Sequence, residues 1–272
     1  MKASLVRVPL TVLGLVLASV LPGTACSQGT DQVNTGVDAI IFQKRAVQTV
    51  DTATNKVAID VSGGNGQVID YQRYVPGGSL VMLKPPRPDG QLIDLTHGQF
   101  PNADFNGVDV SFDAKQAVFS MKISDSDNYH IYTVQLTPDA SGSYAIHQLT
   151  ATASADDVNP VYAPGGRIVF VTNQMYTTMG TRADEYEHGR VVTQLASITV
   201  DGGDADRRLF SQNLSHTAAP FIRSDGKVGY SRWEHLGDVN DVKIMAANID
   251  GTTMQAVGGQ HSAFSYTGLA DG

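Results

Sequence analysis

The sequence predicts an all-β protein, a β-propeller built from four-stranded antiparallel blades. One observation is a phrase that occurs three times: an apolar strand, a turn, and a second strand with an aromatic residue at the same offset. The turns begin at Asp113, Pro164 and Ser224. A further hairpin follows each copy, so that each unit has four strands, which is typical of a propeller. A generic β-sandwich is the alternative, but it does not account for the copied phrase.

The turns supply the local geometry that tight hairpins need. They read Asp113-Ala114-Lys115-Gln116, Pro164-Gly165-Gly166-Arg167 and Ser224-Asp225-Gly226-Lys227, and Gly, Asp and Pro favour turn conformations. The aromatics after them are Phe119, Phe170 and Tyr230. The turns start 51 and 60 residues apart, more than the roughly 40–50 residues of ordinary blade repeats, so inserted loops are expected.

Each remaining strand has its own turn signal. The second hairpins are expected at 129–136 with 144–149, at 195–200 with 207–210, and at 242–249 with 253–257. An upstream unit has strands at 80–83 and 91–95 around Pro88-Asp89-Gly90, and 39–42 is an earlier strand of that unit. No outer strand is evident in this first unit. The sequence therefore predicts about four blades, with the first incomplete.

The N-terminus has the features of an export signal. Lys2 and Arg7 precede an apolar run at 8–21, which is shorter than the ~20 residues that span a bilayer. We expect residues 1–25 to be a signal peptide, 26–37 a flexible tether and 38–272 the propeller. Gly23-Thr24-Ala25-Cys26 resembles a bacterial lipobox, which implies a lipid on Cys26. Ordinary cleavage after Ala25 is the alternative.

Charge and cysteine content exclude several functions. The chain of 272 residues has 19 Lys and Arg against 27 Asp and Glu, a net charge of −8. Phosphate affinity comes mainly from Lys and Arg, so a nucleic-acid partner is not expected. The single cysteine excludes an intramolecular disulfide, a CxxC zinc site and covalent haem attachment within these residues.

Three stretches carry a resemblance to known propeller repeats: 40–45 (Ile-Ile-Phe-Gln-Lys-Arg), 157–170, and 225–234 together with 248–252. They resemble the TolB-like class, and more closely propellers related to the middle domain of the hydrazine synthase alpha subunit. The resemblance implies a ring of six or seven blades, and residues 260–272 look like the start of a fifth. The propeller is thus expected to be incomplete at its C-terminus, or to be completed by a partner. A closed four-bladed ring is the alternative.

Few residues suggest chemistry. The longest insertion, 175–194, contains Asp184, Glu185, Glu187 and His188, which offer the oxygen and imidazole ligands of a metal site. A solvated acidic loop is the alternative. The Asp-rich stretch 124–128 departs from a calcium loop because Tyr129 and His130 follow it.

No GxSxG or HExxH motif occurs. No catalytic residue and no cofactor is therefore predicted in this chain.

These features favour a non-catalytic module of the cell envelope. It would be anchored through Cys26 to a membrane, facing the periplasm or the exterior, and would bind a protein or small ligand through its propeller loops. Two alternatives stay open. One is the propeller portion of a larger haem-associated redox subunit like hydrazine synthase alpha, and the other is the N-terminal propeller of a peptidase.

Overall fold

The computed structural model describes residues 36–45, 48–51, 53–54, 56–59, 74–174, 192–211, 216–236 and 239–258. These stretches form seventeen strands and one short 3-10 helix, Gly203–Asp206. The strands are β1 Ile40–Lys44, β2 Gln48–Asp51, β3 Lys56–Ile59, β4 Ser79–Lys84, β5 Gln91–Asp94, β6 Asp104–Val110, β7 Gln116–Lys122, β8 His130–Gln135, β9 Ile146–Gln148, β10 Asp157–Ala163, β11 Arg167–Thr172, β12 Gln194–Thr199, β13 Arg208–Phe210, β14 His216–Ile222, β15 Val228–Leu236, β16 Val239–Ala247 and β17 Gln255–Gly258.

The strands form a series of antiparallel blades, as the sequence predicts. Three sheets have four strands in sequence order: β6 to β9 (blade 2), β10 to β13 (blade 3) and β14 to β17 (blade 4). The order β1-β4-β5 makes a three-stranded blade 1, and β2 pairs with β3 in a separate hairpin. Within a blade we name the strands inner, second, third and outer, in sequence order. The strands β6, β10 and β14 are the inner ones, because they pack on one another in series. In the described residues no helix is long and apolar enough to cross a membrane.

The hydrophobic core lies between neighbouring blades. One cluster of buried side chains joins blades 1 and 2, a second joins blades 2 and 3, and a third joins blades 3 and 4. The repeated aromatics Phe119, Phe170 and Tyr230 are fully buried in these clusters, which confirms the interpretation of the copied phrase. Since each cluster needs two blades, a blade contributes to stability mainly through its neighbours.

Each inner strand carries a bulge at the same place. The pairing with the second strand shifts after Asn106, Val158 and Ala218, and the next residue has a positive φ: 78° at Gly107, 52° at Asn159 and 49° at Ala219. Such bulges bend a strand and increase its twist. The repeat is therefore preserved in backbone conformation although its residue type changes.

Among the described residues, the strand missing from blade 1 is the inner one, not the outer one that the sequence suggests. The Leu95 N–H donates to the Leu80 carbonyl just as the Leu149 N–H donates to the Ile131 carbonyl. These matching bonds identify β5 with the outer strand β9, and β4 with the third strand β8. In addition, β1 packs on β6 as β7 packs on β10, so β1 is a second strand. Its inner partner is not among the described strands.

The hairpin β2–β3 lies between the second and third strands of blade 1, and the sequence analysis does not predict it. The two strands pair from Gln48↔Ile59 to Asp51↔Lys56. Blade 4 also differs from expectation, because β15 and β16 extend to Leu236↔Val239 in one long hairpin. The signal peptide, Cys26 and residues 260–272 lie outside the described residues.

Candidate binding face

The long insertions of the blades begin and end on the same side of the propeller. Neighbouring strands of a blade run in opposite directions, so second-to-third connections lie at the same end as the linkers from each outer strand to the next inner strand. We call this end the insertion face. Its connections are 45–78, 123–129, 173–193 and 237–238, and its linkers are 95–103, 149–156 and 211–215. The connections of blades 1 and 3 are much the longest.

A side chain at the start of each inner strand ties the preceding blade to the next. Asp104 accepts a hydrogen bond from the Val75 N–H at 3.0 Å, and Asp156 accepts one from the Tyr129 N–H at 3.0 Å. His216 has the corresponding place in blade 4, with its Nδ1 3.4 Å from the Thr193 Oγ1. The C-terminal part of each of these three second-to-third connections is thereby fixed to the following blade. At each junction between neighbouring blades, a side chain of one blade thus holds a connection of the other on the insertion face.

Arg45, the first residue of the blade 1 insertion, is bound to blade 2. Its Nε and Nη2 donate to the two carboxylate oxygens of Asp104 at 3.0 and 3.2 Å, and Nη2 also lies 3.4 Å from the Tyr129 hydroxyl. Asp104 is fully buried and Arg45 largely so. A buried carboxylate needs such a partner, because removing a charge from water is costly. This pair fixes where the insertion leaves the blade.

The same insertion returns through Tyr74. The Tyr74 hydroxyl donates to the Asn102 carbonyl at 2.7 Å, and the Lys122 ammonium lies 5.6 Å from the centre of its ring. Partial burial raises the pKa of Tyr74, and the charges of Asp125 and Asp104 raise it further. Tyr74 therefore remains a neutral hydrogen-bond donor at physiological pH. Both ends of the insertion rest on blade 2.

The Asp-rich stretch 124–128 forms a short turn on this face. The Asp127 N–H donates to the Ser124 carbonyl at 3.2 Å, and the Asp127 carboxylate lies 3.4 Å from Nε2 of the buried His130. Asp125 is exposed. Across the residues that the structure describes, no group of three or more His, Cys, Asp or Glu side chains is placed to hold a metal ion.

The predicted candidates Asp184, Glu185, Glu187 and His188 lie outside the described residues, but the structure fixes both ends of their loop. Asn173 exchanges two hydrogen bonds with Asp156, at 2.7 Å to its N–H and 3.0 Å to its carboxylate. At the other end the Thr217 N–H donates to the Thr193 carbonyl at 3.1 Å. Both ends of the acidic insertion therefore lie on the insertion face, one bonded to Asp156 and the other to Thr217.

Trp233 lies next to the bond between Thr193 and Thr217 that holds the end of this loop. Its ring stacks on His216 with centroids 5.6 Å apart and an interplanar angle of 20°, and both residues are buried. The sole tryptophan thus packs within the blade. Sequence reasoning missed Asp104 and His216, because no motif marks the start of an inner strand and blade 4 has a histidine where the other blades have an aspartate. It missed Arg45 because the partner of Arg45, Asp104, is 59 residues away in the sequence.

A second buried ion cluster lies within blade 3, where Asp204 also accepts a hydrogen bond from the Ala151 N–H of the linker that precedes this blade. Arg207 binds both oxygens of Asp157 at 2.9 and 2.5 Å, one oxygen of Asp204 at 2.7 and 2.9 Å, and the Gln174 side chain at 3.0 Å. Its guanidinium lies 5.2 Å from the centre of the Phe170 ring. Complete burial raises the pKa of Asp157, and the hydrogen bonds from Arg207 oppose that shift. Every charge here has a partner, so the cluster joins the strands of blade 3 to one another and, through Asp204, to the preceding linker.

Comparisons with known proteins support the β-propeller fold. No protein-family model matches the chain, and no curated protein is similar to it. Among solved structures, the chain is similar to Kuenenia stuttgartiensis hydrazine synthase, with a TM-score of 0.58 and 15% identity over 84% of this chain and 32% of the other. A puromycin-hydrolyzing peptidase of Mycobacterium tuberculosis gives a TM-score of 0.46, 16% identity, and coverage of 67% and 27%.

The Pyrococcus horikoshii acylaminoacyl peptidase gives a TM-score of 0.44 and 10% identity, with 82% of this chain and 31% of the other covered. The chain spans about a third of the length of hydrazine synthase. At such identities the likeness concerns the fold alone, since propellers serve many functions.

Proposed function

We propose that this chain is an exported, lipid-anchored propeller module that binds a protein or small ligand through its insertion face. The observation that carries the proposal is that both long insertions begin and end on one face of the blades. Loops fixed on a rigid β-scaffold are where binding residues concentrate. The opposite face has mainly short turns, which offer less surface for recognition.

The anchoring of the loops supports this assignment. Arg45 and Tyr74 fix the two ends of the first insertion to blade 2, and Asn173 and Thr193 fix the ends of the second. Fixed ends lower the entropy that a loop loses when a ligand orders it. Loops with fixed ends therefore favour specific binding over non-specific binding.

The charge of the face indicates the chemistry of the ligand. Asp125 is exposed in the blade 2 connection on this face. The sequence of the second insertion, whose two ends lie on the same face, contains Asp184, Glu185 and Glu187. The chain as a whole is acidic, with a net charge of −8. A cationic or hydrogen-bond-donating ligand surface therefore fits this face better than an anionic one.

A photo-crosslinking residue placed at position 125 tests the proposal in cells. Both Asp125 and Asp139 are exposed, but Asp139 lies in the opposite turn of blade 2, so it is the matched control. We expect a discrete crosslinked adduct from position 125 and none from position 139. Equal labelling at both positions, or an adduct from 139 alone, would contradict the assignment to the insertion face.

Cell fractionation tests the anchor separately. The Cys26→Ala variant should move from the membrane to the soluble fraction, because a lipid chain contributes about 0.8 kcal/mol per buried CH₂. Ser27→Ala, one residue further along, should stay with the membrane. A Cys26→Ala protein that sediments with membranes as the parent does would disprove lipid attachment at this residue.

A further inference from the structure

Lys122, the last residue of β7, is a buried cation without a counter-charge among the described residues. It is only 8% exposed, and in this part of the chain its ammonium contacts the Tyr74 ring, 5.6 Å from the ring centre, and no carboxylate. Arg45, which is largely buried on the same face, is by contrast paired with Asp104. Lysine is almost never buried without a partner, because the ammonium loses its hydration.

The carboxylate that lies opposite Lys122 does not supply the missing charge. Asp104 is its neighbour in the pairing of β6 with β7, but the Asp104 carboxylate already accepts four hydrogen bonds. Arg45 Nε and the Phe105 N–H donate to Oδ1 at 3.0 and 2.9 Å, and Arg45 Nη2 and the Val75 N–H donate to Oδ2 at 3.2 and 3.0 Å. A carboxylate has about four acceptor sites, so Asp104 is saturated and Arg45 balances its charge.

Lys122 lies on the face where the ligand is proposed to bind. Strand β7 ends there at Lys122, and the next residue, Ile123, is 42% exposed. The Tyr74 ring that the ammonium contacts is partly buried, and its hydroxyl donates to the Asn102 carbonyl at 2.7 Å. Burial raises the pKa of Tyr74, and the charge of the exposed Asp125 raises it further. The cation of Lys122 and the anion of Asp125 therefore both act on this ring.

These charges select a single negative charge on a ligand that also carries a positive one. One ammonium balances one carboxylate, whereas a phosphate has nearly two charges, and the second would be repelled by Asp104 and Asp125. The exposed carboxylate of Asp125 suits a cationic group of the same ligand. A basic peptide with a free C-terminus carries both groups.

We propose that Lys122 and Tyr74 form a carboxylate subsite of the insertion face, which receives the C-terminal carboxylate of a basic peptide. This inference rests on the proposed function, because it names the ligand of the same face. Tyr74 holds the lysine side chain in place, and the ammonium donates to the incoming carboxylate in a charge-assisted hydrogen bond. Asp125 pairs with the positive charge of the peptide.

Two tripeptides that differ only at the C-terminus test the subsite. Lys-Gly-Gly with a free carboxylate and Lys-Gly-Gly amide are each titrated calorimetrically into the full chain, which carries Cys26→Ser so that it is free of lipid. The free acid should bind at least about tenfold more tightly than the amide, as expected for a hydrogen bond between charged groups. Lys122→Met retains the apolar stem of the side chain and should remove this difference.

Lys115→Met is the matched control, because Lys115 is 76% exposed in the opposite turn of blade 2 and lies 3.2 Å from Asp113. It should retain the preference for the acid, and Lys122→Arg, which retains the charge, should retain part of it. Equal affinities of the parent for acid and amide overturn the proposal. An acid that does not bind the parent, or a preference that persists in Lys122→Met, overturns it as well.

Crosslinking from position 125 separates this failure from that of the proposed function. If the adduct from position 125 forms while the parent shows no preference for the acid, the carboxylate subsite is wrong and the binding face stands. If neither is observed, the proposed function is contradicted together with the subsite.

The melting temperature gives a second readout that needs no ligand. A buried ammonium without a partner destabilises the fold, so Lys122→Met should melt at the same temperature as the parent or higher. A melting temperature that falls for Lys122→Met and not for Lys115→Met would show that Lys122 is paired within the protein. That result would also overturn the proposal.

Discussion

A side chain on Gly107 would meet the backbone of Asn159 in the neighbouring blade. A Cβ at Gly107 would lie 2.6 Å from the Asn159 Cα, and both residues hold the positive φ of the inner-strand bulge. The bulges of blades 2 and 3 thus touch through their backbones. Only glycine combines this φ with so close an approach.

Gly107→Ala should destabilise the protein strongly. A non-glycine residue in the left-handed region costs about 1–2 kcal/mol, and forcing the two inner strands apart adds about 1–3 kcal/mol. Gly165→Ala is the matched control, because Gly165 has φ 76° but a Cβ there would meet nothing within 4 Å. The free energy of unfolding in urea should fall clearly further for Gly107→Ala. Equal losses would show that the contact with Asn159 is not the cause.

Ala219→Asn should stabilise the protein. Ala219 is exposed and has φ 49° at the bulge position that Asn159 occupies in blade 3, and asparagine tolerates this region better than alanine. The gain should be up to about 1 kcal/mol, which corresponds to a rise in melting temperature of about 2–4 °C for a domain of this size. The same substitution at the buried neighbour Ala218 should lower the melting temperature. A lower value for Ala219→Asn would contradict the strain argument.

Arg207→Ala should be among the most damaging single substitutions. It would leave Asp157 fully buried without its main partner, and breaking a buried ion pair costs about 3–5 kcal/mol. Arg223→Ala removes an ion pair with Asp225 that is much more exposed, and it should have only a small effect. Equilibrium denaturation of both variants gives the comparison. A similar, small loss for both would show that the buried cluster does not hold the strands of blade 3 together.

Turn aspartates should make stability fall in acid. Ser141 donates to Asp139 through its hydroxyl and its N–H, and the Ser143 N–H donates as well. These bonds hold the pKa of Asp139 below its ordinary 3.8. A lowered pKa in the folded state contributes stability above the unfolded pKa, and that stability is lost as pH falls through the folded value.

Asp139→Asn should therefore weaken the fall of the melting temperature below about pH 4, with a smaller change near neutral pH. Ser143→Ala is a milder variant, because the backbone N–H of residue 143 still donates. It should retain the acid dependence of the parent. An unchanged slope for Asp139→Asn would exclude this turn as a source.

The strands, their turns and the buried aromatics were predictable because their causes are local. Turn residues such as Gly165, Gly166 and Gly226 have positive φ, and the offset of Phe119 from its turn recurs at Phe170 and Tyr230. The three-stranded first blade was predictable for the same reason. The hairpin β2–β3 escaped prediction because it is not part of the repeated phrase, although Asn55 stands between its strands in the sequence and Gly63 and Gly64 follow them.

The candidate face could be predicted only in part. The acidic insertion and the Asp-rich stretch 124–128 are visible in the sequence. That both begin and end on the same face of the blades follows only from the order of the strands in each sheet. His216 could not be aligned with Asp104 and Asp156, since a different side chain makes the corresponding contact. Arg207 and Asp157 are 50 residues apart, and no local pattern connects them.

The sequence by itself determined that this chain is a repeat of antiparallel hairpins, because turn chemistry and apolar alternation act over a few residues. Tertiary structure alone decided that the described strands of blade 1 are the second, third and outer ones, since strand identity depends on which strand packs on which. It also decided that the buried ammonium of Lys122 contacts the ring of Tyr74 and no carboxylate of the described residues. Contacts between residues so far apart along the chain depend on how the blades pack, and a residue's own sequence context does not reveal them.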